Sequence, residues 1–169
     1  MLEGALKLVG LALAYGVGLG IGVLLHELGH AAAALLATRQ RIEVALGRGV
    51  EETRLASLSL GRLSIVLANW IIWIGATHYD RTKESRLVQS FVAVSGPLAS
   101  LIACLACVWW LVSVSLPSWL GVVALGLLAA NFRILIVAVW PIAYRPNGSD
   151  GEEWLSDALD LWRLWRGKK

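Results

Sequence analysis

The 169-residue chain is 57% hydrophobic, with a mean hydropathy of +0.68 and a formal net charge of +3. Soluble domains are nearer about 45–50% apolar, so an ordinary soluble fold is excluded. No basic run interleaved with aromatics is present, which argues against a nucleic-acid partner. The two cysteines, Cys104 and Cys107, are too few for a disulfide framework or a closed zinc site and read as small packing residues inside an apolar helix.

A first apolar helix is expected over about 5–37, longer than the roughly 30 Å hydrocarbon layer of a bilayer. Gly16, Gly18, Gly20 and Gly22 form overlapping small-xxx-small pairs that permit close helix approach in lipid. One row extends as Gly18, Gly22, His26, His30, Ala34, so the packed face continues into His26 and His30. With Glu27 they form "HELGH", the only titratable cluster between Lys7 and Arg39. Ionisable side chains at membrane depth are costly and read as functional by default.

Charges return after Arg39, and glycines at 47, 49 and 61 punctuate short alternating stretches. A small membrane-associated β-sheet is expected over about 40–79. The stretch 64–75 is too short for a span and is interrupted by Asn69, which favours strand or interfacial re-entry. Two further spans are expected at 87–116 and 119–143, separated by Pro117 and Ser118. The tail, 151–169, reads as an amphipathic interfacial helix with Trp154, Leu155, Ala158, Leu159, Trp162 and Trp165 on one face. The nine tryptophans sit mostly near span ends or in this tail, as a lipid–water interface favours. The whole is thus a single-domain α-helical integral membrane protein in contact with the lipid bilayer. It has a three-span core, a small sheet between spans one and two, and an interfacial C-terminal helix. Lysine and arginine counts place the 39–86 region and the C-terminus in the cytoplasm.

His26 and His30, four apart on a helix, project from one face and suit a shared zinc ion. Glu27 is then placed to act as general base toward a water on the metal. A third protein ligand is required. The candidates are His78, in a polar-flanked segment, and the carboxylates Asp150, Glu152 and Glu153 just past the third span; Asp150, between Gly148 and Gly151, leads among them. Three spans bring the ends of spans one and three to the same side, provided that 64–75 does not cross.

"HELGH" in the first span, "SGPLAS" (95–100) in the second and "SDG" (149–151) after the third resemble the site-2 protease family of intramembrane zinc metalloproteases. Order and rough spacing agree over nearly the whole chain. The resemblance implies one zinc ion (Zn2+) held by His26, His30 and Asp150, with Glu27 as general base. It also implies hydrolysis of peptide bonds in or near transmembrane segments of membrane-protein substrates. Two positions depart from the family pattern: Ser100 and Ala138 stand where the family often has asparagine. A catalytically weak relative that binds zinc and membrane partners is one alternative, and a metal transporter is another. Arg133, inside the third span, is expected to pair with Glu27, to line a water-filled access path, or, in the plainer reading, to snorkel toward the interface or bond between helices.

Overall fold

The computed structural model describes residues 2–47, 54–114, 118–144 and 153–167. Three long helices dominate it: α1 (Leu2–Ala37), α2 (Arg86–Ser113) and α3 (Trp119–Val139). Each is long and apolar enough to cross a membrane. The inward face of α1 is mostly small or polar: Gly18, Gly22, His26, His30 and Ala34 are all buried, with Leu19 and Val23 beside them. Large apolar side chains such as Leu13, Val17, Leu105, Val112 and Phe132 face outward. Such an arrangement suits a bundle packed by close backbone approach in a solvent as apolar as its own side chains.

The glycine rows of α1 divide between two neighbours. A Cβ on Gly18 would lie 3.0 Å from the Ala130 Cβ, and one on Gly22 would lie 2.6 Å from Ile134 and 3.0 Å from the Asn131 Oδ1. From α3, Gly126 returns the contact against Ala14 and Tyr15. These pairs run in step, so α1 and α3 are parallel. Gly20 instead makes room for Ile72, while the Trp73 indole donates to the Gly16 carbonyl at 3.2 Å. Against α2 the close point is Gly29, whose Cβ would meet the Ser95 carbonyl oxygen at 2.6 Å.

Between α1 and α2 lies a four-stranded mixed sheet, in the order β2-β3-β1-β4. Its strands are β1 (Ile42–Leu46), β2 (Ala56–Leu60), β3 (Leu63–Leu67) and β4 (Gly75–His78). β1 pairs parallel with β3 and antiparallel with β4. The β2–β3 hairpin turns at Gly61, whose φ of +62° suits glycine. Ile42 and Val44 are fully buried and pack with Ala31, Ala33, Ala34 and Val92. The Arg62 guanidinium donates to the Thr38 and Leu35 carbonyls, satisfying the last turn of α1 with a cation. Segment 64–75 is therefore partly strand, and its remainder runs back along α1 as far as Gly16 and Gly20. It contributes no crossing helix.

α3 ends at Val139 rather than Ala143. Pro141 pushes its predecessor out of the helical region, and Trp140 is extended with ψ of 123°. A short hairpin follows, β5 (Ala143–Tyr144) with β6 (Trp154–Leu155), and then α4 (Asp157–Arg166). Trp154 and Leu155, expected on the helical face of the tail, are thus strand residues. α4 packs on α2 through the buried Leu159 and a hydrogen bond from the Trp165 indole to Ser90 Oγ at 3.0 Å. Arg81, in a single 3-10 turn (Arg81–Lys83), adds a two-pronged ion pair to Asp160.

Candidate metal centre

His26 and His30 lie one above the other on α1, with ring planes at 86°. Each ring is oriented through its Nδ1. That of His26 bonds Ser100 Oγ at 2.9 Å, and that of His30 donates to the Val92 carbonyl at 2.7 Å. Both partners come from α2. Gly96 is what admits the His30 ring, because a Cβ there would collide with the imidazole. Pro97, one residue on, lacks the N–H that would continue the helical ladder and loosens the same turn. Ser100 is fully buried and serves to orient a histidine.

With both Nδ1 atoms occupied, the two Nε2 atoms point into one space, 3.2 Å apart. A carboxylate closes the triangle. Asp157 places Oδ2 3.1 Å from the His26 Nε2 and Oδ1 3.2 Å from the His30 Nε2. Zinc–ligand bonds of about 2.0–2.1 Å in a tetrahedron imply edges of about 3.3 Å. Two imidazoles and one carboxylate, whose two oxygens each lie against a different Nε2, therefore form a group within 4.8 Å that could hold a divalent metal ion.

The position of Asp157 comes from its neighbour Ser156. This residue caps α4, its Oγ accepting from the Leu159 N–H at 3.3 Å and the Ile142 N–H at 3.1 Å while donating to the Trp140 carbonyl at 2.7 Å. One side chain thus fastens the first turn of α4 to the end of α3. Burial alone would raise the Asp157 pKa, but hydrogen bonds from the protonated Nε2 atoms of His26 and His30 outweigh it and hold the carboxyl at about 2; those protons are the ones a metal ion would replace.

Glu27 is buried, one residue along from His26. Thr77 of β4 donates from Oγ1 to the Glu27 Oε2 at 2.8 Å. Gly75, on the same strand, leaves room for it, since a Cβ would lie 2.7 Å from the Glu27 Cγ. The sheet therefore supplies the wall that holds Glu27 beside the histidines. A cavity of about 880 Å³ opens over the cluster, lined by the three candidate ligands, Glu27, the β4 residues, Arg133 and Tyr144.

His26, Glu27 and His30 stand together as the sequence predicts. Asp150 and Glu152 lie outside the described residues. Glu153 lines the cavity and lies 3.5 Å from Arg163. His78 is an exposed residue of β4, opposite Glu43 and apart from the cluster. The carboxylate that reaches the histidines among the described residues is Asp157, which the sequence reading does not single out. A signal for it exists: Ser156-Asp157 repeats the Ser149-Asp150 pair, and a serine at the start of an amphipathic run marks a helix cap. Arg133 makes no ion pair with Glu27. No known family model matches this chain, and no curated protein matches it.

Proposed function

We propose that the protein is a zinc-dependent intramembrane endopeptidase resembling the site-2 proteases, with His26, His30 and Asp157 as metal ligands and Glu27 as general base. The observation that carries this reading is the convergence of two Nε2 atoms 3.2 Å apart with the Asp157 carboxylate, each of whose oxygens lies against one of them, and a buried glutamate beside the group. Three long apolar helices support a bilayer setting, and the lysine and arginine distribution favours a site on the cytoplasmic side.

A zinc ion held by His26, His30 and Asp157 would supply Lewis acidity and make a water more acidic, toward a pKa of about 7. Glu27, oriented by Thr77, accepts the proton of the attacking water and returns it to the leaving amine nitrogen. Ser100 and the Val92 carbonyl keep the imidazoles aimed throughout. β4 is an outer strand lining the cavity, so a locally unwound transmembrane segment would be held there in extended form by backbone pairing.

Two measurements test this. Co-expression with single-span substrates in membranes should give cleavage by the parent and none by Glu27→Gln, with zinc retained in both. Equal cutting by the variant would remove Glu27 from the mechanism, and retained zinc with no cutting by the parent would favour the weak-relative reading. Metal analysis of purified Asp157→Ala and Asp150→Ala should show zinc lost in the first and kept in the second. The reverse would return the third-ligand role to Asp150.

A further inference from the structure

Arg133 is the one charged residue of α3, and it lies six residues, about 9 Å, before the end of that helix. Its position on the helix is informative. Ile134, Val137 and Ala138 line the cavity over the metal cluster, and Arg133 lines it with them. Phe132, Ile136 and Val139 form the outward, lipid-type face. Arg133 stands on the boundary between the two, at the rim through which a neighbouring transmembrane segment would enter.

The other charges around this cavity have partners. Arg81 is engaged by Asp160, Glu153 lies near Arg163, Asp157 is held by the two histidines and Glu27 by Thr77. Among the described residues Arg133 has neither a hydrogen bond nor an ion pair. The carboxylates Glu27, Glu153, Asp157 and Asp160 line the cavity, and its other cation, Arg81, is taken by Asp160, so Arg133 is the guanidinium there left to pair with an acidic ligand. An unpartnered guanidinium in an apolar helix is costly, and Arg133, exposed at this boundary, is open to an anionic partner.

We propose that Arg133 is a specificity residue that binds a carboxylate of the entering peptide, so that the preferred substrates are membrane segments with an acidic group close to the point of cutting. This rests on the proteolytic reading above. Two sources share the chemistry: an Asp or Glu side chain, and the free C-terminal carboxylate of a segment already trimmed. Guanidinium and carboxylate can meet through two parallel N–H···O bonds, which fixes the approach as well as the charge.

The test separates binding from cutting. The Glu27→Gln protein, in nanodiscs and checked for zinc content, is titrated with fluorescent peptides bearing a roughly 20-residue apolar span. The peptides differ only in Asp, Asn or Lys at one end of the span, and each is made with a free or amidated C-terminus. The Asp peptide should bind about tenfold more tightly than the Asn peptide, the scale of one charge-assisted hydrogen-bonded pair. That preference should vanish in Arg133→Gln, persist in part in Arg133→Lys and turn toward the Lys peptide in Arg133→Glu. Sensitivity to amidation instead of to Asp would assign the terminal carboxylate. Equal binding of all peptides by the unsubstituted Arg133 protein overturns the proposal, whatever the variants do. So does a response that follows only the fraction of anionic lipid, which would make Arg133 a headgroup contact. If peptide preference holds while the Glu27 protein cuts nothing, the protease reading falls and the carboxylate site stands.

Discussion

Ser100 shows how the aim of a candidate metal ligand depends on a group that lies outside the ligand set. It is fully buried, and its hydroxyl is the partner of the His26 Nδ1. Replacing it with alanine leaves that nitrogen without a partner and lets the ring turn. Loss of such an orienting partner typically costs about 10–100-fold in metal affinity. Ser100→Ala is expected to weaken zinc binding by that factor in competition with a chromogenic chelator, with helix content by circular dichroism unchanged. An unaltered affinity would mean that packing alone aims His26. Asn131 is a contrasting case. It is buried with its Oδ1 unpartnered among the described residues, close against Gly22, one turn from His26. It stands at the α1–α3 contact, apart from the cluster.

At the scale of elements, the caps explain both what is legible in the sequence and what is not. Ser85, Ser118 and Ser156 each accept from the N–H three residues on, starting α2, α3 and α4. The long helices announce themselves by sustained hydropathy, and the histidine pair by spacing within one of them. The third ligand depends on where a two-residue hairpin sets the first turn of α4, and that is decided by pairing between residues 143–144 and 154–155. Local pattern does not encode such pairing, so the glycine-flanked Asp150 stands out in the sequence and Asp157 does not. The parallel β1–β3 pair is hidden for the same reason, since strand patterns reveal alternation but not partners. Ser156→Ala should cost about 1 kcal/mol for the cap. It should also weaken zinc binding, because Asp157 is the next residue and the links to Trp140 and Ile142 are lost. Ser85→Ala provides the comparison, losing a similar cap with zinc affinity intact. Equal effects on zinc from both would show that helix stability in general, and not the placement of Asp157, governs the site.

For the whole molecule, the cluster joins parts that otherwise share little. α1 and α3 meet along glycine and alanine rows, and α1 meets α2 at Gly29, so the bundle has its own packing. α4 has a single buried residue, Leu159, and depends on polar ties to α2, to Arg81 and to the end of α3. A metal held by His26 and His30 of α1 and by Asp157 of α4 would be the strongest link between α4 and the bundle. A ligand at a hundredfold excess over its Kd stabilises the state that binds it by about 2.7 kcal/mol. Chelation should therefore act unevenly. Amide exchange should rise across 154–166, where the tether is lost, while protection around Gly18–Gly22 and Gly126–Ala130 stays as it was. Loss of protection throughout would mean that the bundle itself needs the ion. Unchanged protection in α4 would mean that Ser156, Leu159 and Arg81 suffice to hold Asp157 in place, leaving the site preformed for metal.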